Sequence, residues 1–443
     1  MSNQTATCPA IFLAAPASGQ GKTTLTAALA RLLKRQGKVV RVFKTGPDYL
    51  DPQILEQASG QPVEPLDMWM AGEEYCQQKL HEAALVADLI IVEGAMGMYD
   101  GTPSSADLAA RFNIPLVVVM DVKGMAQTAA ALVQGLVGFR SDISVVGMIA
   151  NHCSTERHRE LIAEALPEHI PLLFSVKRDE TMALPERHLG LVQANEVEAE
   201  LEQRFELGAD CLQAAGALNC LENLPAVDFP SASLPTVEPL LKGMQVGIAK
   251  DEAFSFIYQA NLALLRQMGA ELQFFSPIHD AEVPAVDVLW FPGGYPELHA
   301  KALSSNTSML NSVKAFHGSA RPILAECGGF LYCLETLTDL EDDQYPMAGL
   351  IEGHGAMRGK RGCQGMQSAP LPEGTLRGHA HHRSRSANTP EPIAYGQRQR
   401  HQAPGEAIYR VGSLTASYLH LFFPSNPNAI AHLFQSHTQE VAL

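Results

Sequence analysis

The chain has 443 residues, 46% of them hydrophobic and 18% charged, with a formal net charge of −16. That length exceeds one ordinary core, so two domains are expected, and the acidic balance excludes a general nucleic-acid binder, which needs clustered Lys and Arg. The eight cysteines form no C-x-x-C pair, the start lacks a signal peptide's basic and apolar segments, and the apolar runs are too short to span a bilayer. Neither a zinc site, a disulfide framework nor a membrane segment is expected, and cytoplasmic residence is the simplest reading.

From the N-terminal end, apolar β-rich runs at 11–14, 39–43, 89–92, 116–120 and 145–149 alternate with helix-length segments. Continuous apolar strands of this kind predict a parallel sheet covered on both faces, with function gathered at the carboxyl ends of its strands. The first strand runs into Ser18-Gly19-Gln20-Gly21-Lys22-Thr23-Thr24, followed by the helical run Leu25 to Leu33. This is a phosphate loop: backbone N–H groups and a helix N-terminus face phosphate oxygens, the lysine neutralises charge, and the hydroxyl holds Mg²⁺. Pro16 stands where the full pattern has its first glycine.

Lys44 leads into a Pro-bounded loop, Thr45-Gly46-Pro47-Asp48-Tyr49-Leu50-Asp51-Pro52, and Glu93 ends the strand at 89–92. Carboxylates at two strand tips facing a phosphate loop could complete an oxygen shell for Mg²⁺; the alternative for Asp48 and Asp51 is a role as turn formers and helix caps. Asn151, past the strand at 145–149, offers an amide to adenine. Residues 222–244 carry four prolines and no helical period, which reads as a linker between domains 1–221 and 245–443.

A second α/β series follows, with runs at 246–249, 272–275, 286–291 and 323–325. Cys327 follows the last of these and precedes Gly328-Gly329, so it sits where a strand turns sharply into a helix beginning near Phe330. Small residues there permit the tight turn and leave the Gly328 N–H to stabilise an oxyanion. The loop Pro292-Gly293-Gly294-Tyr295-Pro296-Glu297 is a second source of donors. A thiol nucleophile needs a base, and His420 is the candidate, with His379, His381 and His382 as competitors. The basic stretches 358–361 and 383–385 read as solvated faces or as holders of an anionic substrate.

These residues together resemble the cobyrinate a,c-diamide synthase family, among the amidotransferases that build cobalamin. The matching pieces are the loop 18–24, Gly46 to Pro52, Glu93 to Gly101, Leu184 to Gly190, Lys250 to Phe256 and Glu326 to Gly329, in family order. The resemblance implies an α/β protein with an N-terminal P-loop domain like dethiobiotin synthetase and a C-terminal class I glutamine amidotransferase domain. It implies that ATP phosphorylates the c and then the a carboxylate of cobyrinate, and that ammonia from glutamine displaces phosphate, travelling by an internal route. By position, Cys327 would be the glutaminase nucleophile, His420 its base, and Gly294 with Gly328 the oxyanion donors. Ser18, Gly19, Gly21, Lys22, Thr23, Thr24 and Asn151 would bind ATP, and Thr23, Asp48 and Glu93 would meet Mg²⁺. Asp48, Tyr49 and Leu50 would lie near the carboxylate being activated, in a protein that could be a homodimer.

Three departures from the family stand out: Pro16 in the phosphate loop, Gln53-Ile54-Leu55 after Pro52, and His379-Ala380-His381-His382 in place of His-Glu-Phe-His; Phe422 stands where most class I triads have Glu, which this family commonly lacks, so a Cys-His dyad is expected. Phosphate and thiol motifs are blind to the central metal, so hydrogenobyrinate and a nickel sirohydrochlorin are alternative substrates. A nucleotide switch with a decayed amidotransferase domain is the reading from another class, and intact Lys22, Thr23, Cys327 and His420 argue against it.

Overall fold

The computed structural model describes residues 4–187, 190–191, 197–222, 224–358 and 364–435. His188 and Leu189 of the 184–190 motif, and positions 359–361 of one basic stretch, lie outside them. The chain divides into two compact units, Met1–Leu234 and Pro235–Leu443.

In the first unit, strands β1 (Thr5–Ala14), β2 (Val40–Thr45), β3 (Glu64–Leu66), β4 (Leu89–Glu93), β5 (Leu116–Asp121), β6 (Val145–Asn151) and β7 (Leu172–Ser175) run parallel in the order β3-β2-β4-β1-β5-β6-β7. Alternate side chains of each strand enter opposite cores. Phe12, Ile90, Val92, Val118 and Met120 pack on one face, and Ile11, Leu13, Ile91, Val117 and Val119 on the other. Burial of both faces is why the sequence shows unbroken apolar runs instead of alternation. Helix α1 (Lys22–Arg35) leaves the tip of β1, and α2 (Leu50–Ser59) leaves the tip of β2.

The expected linker is partly structured. Ala226–Pro230 forms a strand antiparallel to the start of β1, with Cys8 opposite Val227. Val227 and Phe229 are buried while Ala226, Asp228 and Pro230 face out. That is a two-residue period, which the prolines obscure because they sit at the strand's edges, where a missing N–H is tolerated.

The second unit holds a ten-stranded sheet. Glu271–Phe275, Gln245–Ala249, Val288–Phe291, Ile323–Glu326 and Leu414–Ser417 lie side by side and parallel. Antiparallel strands extend it, among them Gly374–His381 and, paired to it, Leu419–Phe422. Among the described residues no helix is long and apolar enough to cross a membrane.

Candidate active sites

The phosphate loop turns on Gly19 and Gly21, with φ of 77° and 84°, and delivers Lys22, Thr23 and Thr24 to the first turn of α1. Ser18 and Gly19 are exposed at the loop's crest. Lys22 is buried and donates to the Met96 carbonyl (2.9 Å) in the loop after β4. Burial holds its pKa below the usual lysine value. The loop is braced from β6: Asn151 Nδ2 donates to the Gln20 carbonyl (3.0 Å), and Asn151 Oδ1 accepts from the His152 N–H (3.1 Å). A Cβ on Gly21 would stand 2.3 Å from Asn151 Nδ2, so only glycine fits. One amide N–H and one oxygen lone pair of Asn151 remain, the pair needed to read an adenine edge.

Thr23 Oγ1 lies 2.8 Å from Glu93 Oε1 and 3.3 Å from Asp51 Oδ2. Lys44 sits between the same two carboxylates, 2.6 Å from Glu93 Oε1 and paired to Asp51 Oδ2. Burial alone would lower the Lys44 pKa, but Asp51 and Glu93 outweigh it and keep the ammonium charged.

The expected metal set is only partly brought together. Asp48 Oδ1 accepts the N–H groups of Leu50 and Asp51, both at 3.1 Å, so it caps the start of α2 and Asp51 is the carboxylate that meets Thr23. The cause is local: a side chain two residues before a helix folds back onto the unsatisfied amides of the first turn. Burial and the neighbouring Asp51 charge push Asp48 up to about 7, while Lys44 overcomes burial and lowers Asp51. Tyr49 and Leu50 stand half-buried beside them.

Mg²⁺ fits this corner. Glu93 is fully buried, and its Oε2 has no hydrogen-bond partner among the described residues. Together with the Thr23 hydroxyl and Asp51 it makes an all-oxygen set suited to a hard cation. No group of three or more His, Cys, Asp or Glu among the described residues could hold a metal, so nucleotide oxygens and water would have to complete the shell.

In the second unit, Cys327 adopts φ 47°, ψ −100° between the strand Ile323–Glu326 and the helix Gly328–Cys333, which starts two residues before Phe330. A non-glycine residue held at positive φ marks a strained turn that the surroundings enforce. Here the Cys327 N–H donates to the Ser417 carbonyl (2.8 Å), and the Gly329 N–H donates to the Pro292 carbonyl (3.1 Å). The expected oxyanion residues are adjacent: a Cβ on Gly328 would stand 2.9 Å from the Gly294 nitrogen.

His420 packs against the same loop. A Cβ on Gly293 would lie 2.1 Å from His420 Cε1, and the ring centroid is 6.0 Å from that of Phe256. Across the sheet His420 faces His379 in register. Burial, then the neighbouring His379, His382 and His381, push His420 well below its usual value. Burial, then Glu297, raises the Cys327 thiol, which a hydrogen bond from the Gly328 N–H partly offsets. The resting pair is therefore thiol and neutral imidazole.

Of the competing histidines, His379 is buried, and burial drops it to about 3, while His382 stacks on Tyr418 (3.8 Å between centroids). Phe422 is fully buried, so the triad position after His420 carries no acid. Two acids were missed by sequence reasoning. Glu326 is buried, accepting from Trp290 Nε1 (3.0 Å) and the Leu421 N–H (2.8 Å). Glu297 is buried in the loop facing Cys327. Both lie inside motifs already quoted, beside Cys327 and Gly294, and their position was the available signal.

Two family descriptions match the chain: a CobQ/CobB/MinD/ParA nucleotide binding domain over residues 11–192 and a CobB/CobQ-like glutamine amidotransferase domain over residues 245–428. A hydrogenobyrinate a,c-diamide synthase of Stutzerimonas stutzeri is 50% identical, covering 97% of this chain and 99% of the relative. One from Pseudomonas aeruginosa is 46% identical over 97% and 98%. A cobyrinate a,c-diamide synthase of Herminiimonas arsenicoxydans is 45% identical over 98% of both.

Proposed function

The chain belongs to the a,c-diamide synthase family of glutamine amidotransferases, and from that membership we propose that it amidates the a and c carboxylates of cobyrinate with ATP and glutamine. The observation that carries the reading is the strained Cys327 turn, which abuts the Gly294 backbone in a loop where His420 packs against Gly293.

At the phosphate loop, Gly19, Gly21 and the first turn of α1 hold the ATP phosphates, Lys22 neutralises them, and Asn151 reads the base. Mg²⁺ held by Thr23, Glu93 and Asp51 would offset phosphate charge. Lys44, kept charged by its two carboxylates, is aimed at the same corner, where a substrate carboxylate oxygen attacks the γ-phosphorus and ADP leaves. The product is an acyl phosphate, an electrophile that ammonia attacks with loss of phosphate to leave the amide.

In the second unit His420 takes the Cys327 proton as sulfur adds to the glutamine carboxamide. The N–H groups of Gly294 and Gly328 hold the oxyanion, and the imidazolium returns its proton to the departing ammonia. Water then hydrolyses the thioester to glutamate. A proton on a neutral imidazole next to a neutral thiol makes no net charge in the resting site, which suits its burial.

A second reading, hydrogenobyrinate as substrate, is favoured by the names of the relatives at 50% and 46% identity. Parallel assays with cobyrinate, hydrogenobyrinate and nickel sirohydrochlorin discriminate the macrocycles, and turnover of none would overturn the assignment. C327S should lose glutamine-dependent amidation and keep amidation with added ammonium salt. Loss of both would overturn the division of labour. Free thiols at all the described cysteines fit a reducing compartment, the cytoplasm.

A further inference from the structure

The glutaminase half of the proposed reaction leaves a proton behind. Sulfur adds to the glutamine carboxamide while the thiol proton passes through His420 to nitrogen, and neutral ammonia departs from a thioester. Water then adds to the thioester, and one of its protons returns to sulfur through His420. The other stays on the new γ-carboxyl, which ionises at neutral pH. The sum is glutamine and water giving glutamate, ammonia and one proton. Ammonia that is to attack an acyl phosphate has to keep its lone pair, so the proton falls to the base at hand, His420. An imidazolium there cannot take the next thiol proton until its own has reached solvent, and His420 is only 1% exposed.

The strand Gly374–His381 runs beside this base. His379 is the register partner of His420, and side chains directly opposite in an antiparallel pair share a face, with Cβ atoms about 4.5–5.5 Å apart. Leu376, Ala380, Leu419 and Leu421 of the same two strands fill a core on the other face. His379 is buried, and its Nδ1 has no hydrogen-bond partner among the described residues. Two residues on, His381 shares that face and is exposed at the strand's end. The His379 and His381 rings stand edge to face with centroids 6.0 Å apart, within reach of a direct or single-water proton transfer. On the far flank the two histidines face Met366 and Gln364, which do not titrate. The ionisable side chains therefore form a row from His420 through His379 to the surface.

Imidazole suits each place in such a row, because it takes a proton on one ring nitrogen and gives one from the other. Burial, then the neighbouring His381, drops His379 to about 3, so it passes a proton on instead of holding it. Phe422, fully buried, stands where an acid would pin the proton on His420.

We propose that His379 and His381 form the exit by which the proton left on His420 reaches solvent, with His379 as the relay and His381 as the surface terminus. The proposal rests on Cys327 and His420 being the glutaminase pair. The competing route runs through His382, whose Nε2 lies 3.2 Å from Glu406 Oε1.

The test follows glutamate release by the full-length protein through the first and later turnovers in H379F and H381A. The first turnover needs no proton exit, so a burst of one glutamate per site should form at the wild-type rate. Later turnovers should slow about tenfold or more, with a solvent isotope effect in D₂O larger than that of wild type. Imidazole buffer should restore H381A, since a small base can stand in for an exposed terminus. Amidation fed by ammonium salt should keep its wild-type rate. H381A alters an exposed side chain, so it carries the test even if H379F folds poorly. A uniform loss without a burst would show a merely structural role and overturn the exit. Unchanged later turnovers would overturn it too, and are the result expected if the proton leaves on glutamate or through His382. Glutamine turnover surviving in C327S would instead overturn the glutaminase reading beneath it.

Discussion

Cys327, the proposed nucleophile, is a thiol whose surroundings hold it protonated. Burial keeps the thiol protonated, and Glu297 adds a negative charge that pushes it further up. Glu297 is itself pushed up to about 7 by burial, so its charge appears as pH rises through neutrality. E297Q removes that charge and should move the pH profile of Cys327 alkylation by iodoacetamide toward lower pH; an unshifted profile would show that the Glu297 charge does not act on the thiol. Gly293 makes a steric prediction. Since a Cβ there would stand 2.1 Å from His420 Cε1, G293A must displace the ring, and a misplacement of that order costs roughly 100-fold in rate. The loss should fall on glutamine-dependent turnover and spare the ammonia-dependent reaction. At this scale the turn at Cys327 was legible, because a strand followed by Cys-Gly-Gly dictates a tight strand-to-helix turn. The choice between Asp48 and Asp51 was not, because it depends on where α2 begins and so on which side chain folds back onto free amides.

Strands that carry site residues must be tied to one another, and Glu326 is such a tie. It joins the end of Ile323–Glu326 to Val288–Phe291 through Trp290 and to Leu419–Phe422 through Leu421, so it fixes both the turn holding Cys327 and the strand holding His420. Burial pushes Glu326 up to about 8 against the two hydrogen bonds that lower it. A carboxyl whose folded pKa lies above its unfolded value of about 4.3 binds more protons when folded. Stability from this group is therefore full below about pH 4 and is lost as pH rises through 8. In E326Q one of the two N–H groups faces an amide N–H instead of an oxygen, a loss of about 1–3 kcal/mol. Urea unfolding should show the variant less stable than wild type at pH 5 and the gap narrowing by pH 8.5; a constant gap would mean that Glu326 does not titrate on unfolding. The strand Ala226–Pro230 teaches a related lesson about elements. Its alternation of Val227 and Phe229 with polar or small neighbours was present in the sequence, yet five residues among prolines are too few for a period to stand out. Long buried strands such as β5 needed no such context.

Each unit has its own hydrophobic cores, the first around the two faces of its parallel sheet and the second around the ten-stranded sheet. Each also carries the polar groups proposed for one half of the chemistry, so on that proposal the two half-reactions should be separable by single substitutions. C327S removes the source of ammonia while leaving the corner of Lys22, Thr23, Lys44 and Glu93 intact. The reciprocal variant is K22M. Lys22 reaches across to the Met96 carbonyl and is the buried cation of the phosphate loop, so its loss should lower amidation about 100-fold or more whether glutamine or ammonium supplies the nitrogen. Hydrolysis of glutamine to glutamate, proposed to run on Cys327, His420 and the donors of Gly294 and Gly328, should persist. The measurement is glutamate release and ADP release in the same reaction. Wild type should release one glutamate and one ADP per amide formed, C327S supplied with ammonium salt should release ADP without glutamate, and K22M should release glutamate without ADP. Were K22M to stop glutamate release as well, the second unit would need an intact nucleotide site to work, and the separability argued from two cores and two polar sets would fail.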